Sequence, residues 1–346
     1  MGINSAVISG DVGGTHVRLA LINKKGTILS LVKKQVKEAS KDDPYAFLKA
    51  VETWCKDLIA QAGKAEFNVI GVGLGVAGKI DYDRGAILFS PNLPHLNGVS
   101  VVSELSSALD LPVIIENDAN AFGLGEGWIG SARDWENWLG ITLGTGVGGC
   151  IVLNGELWRG DKNAGFSGEI GHTTIVPGGM PCNCGKKGCL EAYASESGLR
   201  RHVVSDIQDE WKNCVFKPTY PDYYITNMNN ITAKMLFEQA QAGDLYAKSL
   251  FDRFGEILGI AISNVFTTLG IFRAVIGGGV SNAWSAFFPS LEKALREHCS
   301  MVDFSKIVIS KSFLGDKAAL LGAARCAFSS FEPIMSGYLA KSFDNA

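Results

Sequence analysis

No uninterrupted apolar run in this chain reaches the roughly 18 residues that a membrane-spanning helix needs, and the start, Met1 to Gly10, lacks the basic stretch of a secretion signal. Met1-Gly2 resembles a myristoylation start, but Ala6 stands where Ser or Thr is required. An excess of positive charge is missing as well. The 32 basic and 35 acidic residues leave a net charge of −3, which gives no electrostatic reason to expect nucleic acid or an anionic membrane as partner. A small neutral partner fits better. Proline is scarce, 10 residues against 41 glycines, so the glycines read as tight backbone turns and not as disorder. With 346 residues, 47% hydrophobic and 19% charged, the chain has core material for two domains of mixed class. Its eight cysteines then read as thiols of a cytoplasmic protein, with Cys55, Cys150, Cys214, Cys299 and Cys326 free and mostly buried.

The other three cysteines belong to a cluster. Gly168-Glu169-Ile170-Gly171-His172 is followed by Cys182-Asn183-Cys184 and then by Gly188-Cys189-Leu190-Glu191. Three thiolates separated by small residues, with His172 as a fourth corner, form a tetrahedral zinc ligand set. A loop this short has no core of its own, and metal binding supplies roughly 10–16 kcal/mol towards ordering it. Glu169 and Glu191 flank the ligands, so ordering the loop also positions two carboxylates. Neither acid has a role in a filled Cys3His site, and converging acids and amides are what a polyol needs for its hydroxyls.

Two apolar stretches with glycine-rich tips stand about one lobe apart. The first is Asp11-Val12-Gly13-Gly14-Thr15, between Ala6–Ser9 and Val17–Ile22; the second is Gly144-Thr145-Gly146-Val147-Gly148-Gly149, between Trp138–Leu143 and Cys150–Leu153. The repetition suggests a duplication in which each half offers one loop to a shared ligand. The second loop has dinucleotide spacing, but strand-like Cys-Ile-Val-Leu follows where that motif demands a helix. Gly73-x4-Gly78-Lys79 resembles a Walker loop, yet Ile80 replaces the magnesium-binding Ser or Thr. Asp11–Thr15 can be an ordinary glycine hairpin or an anion cradle, with backbone N–H groups, the Thr15 hydroxyl and Asp11 ordering magnesium through water. Together with the second loop and a third glycine corner, Gly277-Gly278-Gly279, it suits phosphates and a nucleotide base.

Periodicity predicts helices over 43–63, 121–128, 196–210, 232–242, 244–269 and 316–328, and strands at 67–76, 112–116 and 274–276. The segment 209–230 has no clean period and reads as an irregular excursion. Asn117-Asp118, just past a strand, can cap a helix. Capping leaves room for catalysis, because Asp118 falls at a sheet's carboxyl edge, where a carboxylate can accept a proton from an alcohol undergoing phosphoryl transfer.

These motifs resemble the ROK family, most closely its glucokinases, from Asp11 to about Ala324. The residues carrying the resemblance are Asp11–Thr15, Glu116-Asn117-Asp118-Ala119-Asn120, Leu143–Gly149, Gly168–His172 and Cys182-x-Cys184-x4-Cys189-Leu190-Glu191. The resemblance implies a two-lobed actin-like, hexokinase-like (ribonuclease H-like) α/β fold. Its small lobe would be 1–115, joined by 332–346, and its large lobe 116–331, with the zinc loop 172–189. It implies an ATP-dependent hexose 6-kinase, with Mg2+ accompanying ATP, structural Zn2+ and a homodimer or higher homo-oligomer. Asp118 would be the general base, and Gly78, Asn92, Asn117, Asp118, Glu169, His172 and Glu191 would bind sugar, His172 also ligating zinc. Asp11, Gly13, Gly14, Thr15, Thr145 and Gly146 would attend the phosphates, and Gly278 and Gly279 the adenosine. Glucose is the favoured substrate; mannose, fructose, N-acetylglucosamine and N-acetylmannosamine are alternatives. A sugar-sensing repressor of the same family is a further alternative, although it would carry a DNA-binding helix-turn-helix ahead of Asp11.

Overall fold

A computed structural model describes residues 4–39, 43–161, 165 and 167–343, and side chains throughout these except 38, 39 and 333–343. The chain is of the expected α/β class. It divides into two compact units. The first is Met1–Glu136, Cys150–Ser167 and Phe313–Ala346; the second is Asn137–Gly149 and Gly168–Ser312.

In the first unit, the apolar runs form strands β1 (Asn4–Val12), β2 (His16–Asn23), β3 (Ile28–Gln35), β4 (Phe67–Val76) and β7 (Val113–Asn117). They make one sheet in the order β3-β2-β1-β4-β7, antiparallel from β3 to β1 and parallel from β1 to β7. A short hairpin, β5 (Lys79–Asp81) and β6 (Ala86–Phe89), follows β4. Side chains alternate between two layers. Ala6, Ile8, Leu19 and Leu74 join a core with helices α1 (Pro44–Lys64) and α2 (Val101–Leu109), while Val7, Ala20, Ile22 and Ile70 pack with Leu320, Ala324 and Phe328. Those last three belong to α9 (Ala318–Phe343). Helix α1 begins where Asp43 accepts from the Tyr45 N–H at 2.9 Å and Pro44 takes the first turn. Helix α3 (Asp118–Ile129) lies against α9, and the crossing uses glycines: a Cβ on Gly322 would overlap the Ala121 carbonyl, and one on Gly125 the Ala318 carbonyl. Buried Glu126 strengthens the dock, accepting from the N–H groups of Ser131 at 2.7 Å and Leu314 at 3.1 Å.

Strands β8 (Trp138–Leu143), β11 (Arg273–Gly277) and β12 (Val308–Lys311) run parallel in the second unit. With β9 (Val147–Leu153) and β10 (Glu156–Leu157) the strand order is β10-β9-β8-β11-β12, and the division between the units passes through β9. Helices α4 (Glu196–Gln208), α5 (Pro221–Asn227), α6 (Ala233–Gln241), α7 (Leu245–Leu269) and α8 (Trp284–His298) complete the unit.

Several expectations are refined by these elements. Helix α3 starts three residues earlier than its apolar period, at Asp118 instead of 121, because the Asn117 cap fixes its first turn. The closing helix runs to Phe343, well past 328. The 209–230 segment is ordered, and α5 lies within it. Trp211 stacks edge-on with Tyr224 and Tyr246, at centroid distances of 6.0 and 5.1 Å. The Tyr224 hydroxyl donates to Asp244 and that of Tyr246 to Asp206, each at 2.7 Å. Burial, and next the facing carboxylate, pushes both phenols upward in pKa. The two units are also drawn along other lines than lobes of 1–115 and 116–331. Strand β7 pairs with β4, and α3 packs on α9, so both stay with the first sheet. Among the described residues, no helix is long and apolar enough to cross a membrane.

Candidate active site and metal cluster

In the first unit the expected residues gather at one edge. The register pairs Val12 with Val76 and Val76 with Asn117, so the carboxyl ends of β1, β4 and β7 form a row. Asp11, Gly13, Gly14 and Thr15 leave the end of β1, Gly78 follows β4, and Asn117 and Asp118 follow β7. Asn117 caps α3, accepting from the N–H groups of Ala119 at 2.9 Å and Asn120 at 3.1 Å, and its amide donates to the Gly78 carbonyl at 2.9 Å. Capping is thus its observed role, and the tether fixes Gly78 beside it. Asp118 is half-buried in the first turn of α3, with Oδ1 accepting from the Ala119 N–H at 2.9 Å. Asn92 lies over the first glycine loop: a Cβ on Gly14 would stand 2.9 Å from the Asn92 Cβ. Within that loop the Gly13 N–H donates to the His16 carbonyl at 3.0 Å, which closes the turn, and Thr15 is exposed at its tip. The Asp11 carboxylate receives the Arg18 guanidinium from the paired strand. Any cation near Asp11 therefore shares it with Arg18, which suits contact through water better than direct ligation.

One residue of the Glu116–Asn120 motif had no role assigned from the sequence. Glu116 is 1% exposed, and its Oε2 accepts from Arg159 Nε at 2.9 Å and Nη2 at 2.7 Å. Its Oε1 accepts from the Tyr82 hydroxyl, the Asn117 N–H at 2.9 Å and the Asn120 amide at 3.0 Å. Burial alone would lower the Arg159 pKa, but the Glu116 charge more than offsets it and holds the guanidinium above its usual value. Burial, and then the same carboxylate, pushes the Tyr82 phenol upward. Glu116 thus holds the backbone immediately before Asp118. The signal available in the sequence was an acid closing the apolar run Val113-Ile114-Ile115; Arg159 had none.

In the second unit, His172, Cys182, Cys184 and Cys189 place one ligand atom each within 4.8 Å of one another. Cys182 Sγ is 3.6 Å from His172 Nδ1, and Cys184 Sγ is 3.6 Å from Cys189 Sγ. A tetrahedron with Zn–S bonds of about 2.3 Å has edges of about 3.8 Å, so this donor set fits zinc. The knuckle is closed by backbone bonds, Cys182 N–H to Lys186 carbonyl at 2.8 Å and Gly185 N–H to Cys182 carbonyl at 3.0 Å. With Nδ1 turned to the cluster, His172 presents Nε2 towards the Glu169 carboxylate at 3.9 Å. The ring can therefore serve a metal on one side and a ligand hydroxyl on the other.

Glu191 joins the cluster to the second glycine loop. Its Oε1 lies 3.8 Å from Cys182 Sγ, while its Oε2 accepts from the Val147 N–H at 3.1 Å. The carboxylate covers Gly146 so closely that a Cβ there would overlap it. Thr145 is exposed at the tip, and the start of α4 is tied to the loop by Glu196 N–H to Gly144 carbonyl at 2.9 Å. The register of Gly277 with Thr142 sets Gly278 and Gly279 at the same sheet edge as this loop. Gly278 has φ +84° and lies against the Leu143 backbone, a position that excludes a side chain on both counts.

The fold and site define an α/β protein with two five-stranded sheets, two Gly-Thr hairpins and a Cys3His cluster. The sequence pattern of the ROK family matches residues 7–329, and the chain belongs to that family. A glucokinase of Halalkalibacterium halodurans is 35% identical over 90% of this chain and 92% of its own. A xylose repressor of Caldicellulosiruptor bescii is 29% identical over 92% of this chain and 76% of its own. The crystal structure of a ROK family glucokinase from Streptomyces griseus in complex with glucose and AMPPNP is similar with a TM-score of 0.75, at 28% identity, over 94% of this chain and all of the other.

Proposed function

We propose that the chain is an ATP-dependent hexose kinase that phosphorylates the 6-hydroxyl of glucose. The observation that carries this reading is that each glycine hairpin is covered by a residue assigned to sugar, Asn92 over Gly14 and Glu191 over Gly146. Phosphoryl transfer to a sugar needs phosphate-binding and hydroxyl-binding groups held together in this way. The glucokinase relatives support glucose as the acceptor and ATP as the donor.

In this mechanism Asn117, Glu169, His172 and Glu191 accept and donate hydrogen bonds to ring hydroxyls, and Asp118 takes the proton of the 6-hydroxyl. The 6-oxygen bonds to the γ-phosphorus as the bond to the β,γ-bridging oxygen breaks, and ADP leaves. Thr15 and Thr145, exposed at their tips, attend the phosphates, and the corner at Gly278 and Gly279, open at Gly279, receives the adenosine. Asn117 and Glu116 hold the backbone around Asp118, so the base is positioned before substrate arrives. Zinc on His172, Cys182, Cys184 and Cys189 serves as a structural ion that orders the loop carrying the sugar-binding acids.

The test is ADP release with ATP and magnesium across glucose, mannose, fructose, N-acetylglucosamine and N-acetylmannosamine. A dominant rate with glucose is expected. A dominant rate with another of the five keeps the mechanism and moves the substrate. Silence on all five defeats the kinase reading and favours a sugar-sensing regulator, the class to which the similar xylose repressor belongs.

A further inference from the structure

Along β7, within the first unit, lies a cavity of about 630 Å3 whose wall contains none of the residues assigned to sugar, nucleotide or metal. Its volume is in the range of roughly 300–1,000 Å3 that accommodates a small organic ligand. Arg84, Arg159 and Arg325 line it. Arg159 is tied to Glu116, whereas Arg84 and Arg325 are exposed and form no ion pair among the described residues. The Arg325 guanidinium stands 5.9 Å from the centroid of the Trp128 ring. Asp83 and Glu156 also line the cavity, and Ser329 and Ser330 add hydroxyls from α9.

This lining discriminates among ligand classes. An apolar molecule would desolvate two unpaired guanidiniums and two carboxylates without compensation. A bare anion would use the guanidiniums but face Asp83 and Glu156, and an uncharged sugar would leave the guanidiniums unmatched. A phosphate ester of a polyol uses every group: the phosphate takes forked guanidinium donors, and the hydroxyls pair with the carboxylates and serines. The cavity also reaches the positioning pair. Glu116 Oε2 receives both Arg159 bonds, while Oε1 holds the Asn117 N–H, one residue before Asp118. An anion that draws Arg159 towards itself loosens this hold.

We propose that the cavity binds a phosphorylated polyol of hexose size and transmits its occupancy to Asp118 through Arg159 and Glu116. The experiment is calorimetric titration of the full chain with glucose 6-phosphate and, separately, with inorganic phosphate. Each titration is run with and without saturating glucose and a non-hydrolysable ATP analogue. Amide exchange at Asn117 is followed in parallel. Glucose 6-phosphate is expected to bind in both conditions, more tightly than inorganic phosphate, and to change the Asn117 exchange rate. Arg325→Glu and Arg84→Glu, both at exposed positions, should each weaken this binding at least about tenfold, a loss of about 1.4 kcal/mol, and leave ligand-free ADP release unaltered. The proposal is overturned by absence of binding, by binding that both variants leave intact, by binding abolished when glucose and analogue are present, or by equal affinity for inorganic phosphate. An unchanged Asn117 exchange rate on binding overturns the transmission through Glu116. Neither the calorimetry nor the amide exchange requires turnover, so a chain that phosphorylates no sugar defeats the proposed function without touching this result.

Discussion

The two five-stranded sheets share one strand order, β3-β2-β1-β4-β7 and β10-β9-β8-β11-β12, with a meander of three strands followed by two parallel ones. The burial pattern repeats along the hairpin tips as well. Gly14-Thr15-His16-Val17 and Gly144-Thr145-Gly146-Val147 both run half-buried, exposed, half-buried, buried. What differs is the means of holding each hairpin. Both turns are closed from within, Gly13 N–H to the His16 carbonyl and Gly144 N–H to the Gly146 carbonyl, each at 3.0 Å, and the first is braced further by the cross-strand ion pair Asp11–Arg18. The second is braced instead by Glu191, which reaches it from the Cys3His loop and occupies space left by Gly146 at the place where the first hairpin has His16. The brace of one hairpin therefore comes from its own sheet. That of the other comes from the Cys3His knuckle some forty residues away in sequence, between Cys182 and Glu191.

The largest expected effect separates chemistry from both ordering devices. Asp118→Asn should lower turnover by about 10²–10⁴-fold, the usual worth of a positioned general base, while zinc content and sugar affinity stay near those of the parent. Steady-state kinetics with metal analysis checks this, and near-parental turnover would remove Asp118 as the base.

Next in size is the metal. Removing zinc, or Cys182→Ala, should raise amide exchange over 144–149 and 169–191 and weaken sugar binding at least about tenfold. The first hairpin, 11–18, should keep its exchange rates. If both hairpins loosen equally, or if purified protein contains no zinc, the asymmetry drawn here is wrong.

Much of this contrast was legible in the sequence, for identifiable reasons. The Cys3His spacing, the two Gly-Thr tips and the helical cap at Asn117 are local signals, each set by a few neighbouring residues. Strand β4 was legible because it is apolar and buried from Val69 to Val76, between α1 and α9. Strand β3 and helices α2 and α8 carried weaker signals; β3 alternates at a sheet edge, and α8 contains Pro289. The 209–230 segment misled because its order comes from long-range aromatic contacts, Trp211 and Tyr224 against Tyr246, which have no sequence period. The Arg159–Glu116 clamp was invisible for the same reason, its partners standing 43 positions apart.

A pair of smaller changes sharpens the comparison of the hairpins. Gly146→Ala should displace Glu191, raising the sugar KM by about tenfold with zinc retained, because the added methyl overlaps the carboxylate and not the ligands. Arg18→Ala acts in the other half, leaving Asp11 without its guanidinium. It should cost about 1–3 kcal/mol and raise exchange over 11–18 alone. Exchange that rises in the opposite hairpin for either variant would break the assignment of one device to each half.

The smallest effect tests whether the aromatic cluster belongs to this scheme or only to stability. Tyr224→Phe removes the hydroxyl that donates to Asp244 but keeps the ring against Trp211 and Tyr246. Asp244 still accepts from the Tyr246 N–H at 2.9 Å as the cap of α7, so its carboxylate is not stranded. The loss should therefore fall near the net worth of one hydrogen bond to a charged group, about 1.5 kcal/mol. It should appear as a lower urea midpoint with sugar KM, turnover and zinc content unaltered. A change in sugar KM would mean that the 209–230 segment is coupled to the metal loop, and the second hairpin would then have two external supports instead of one.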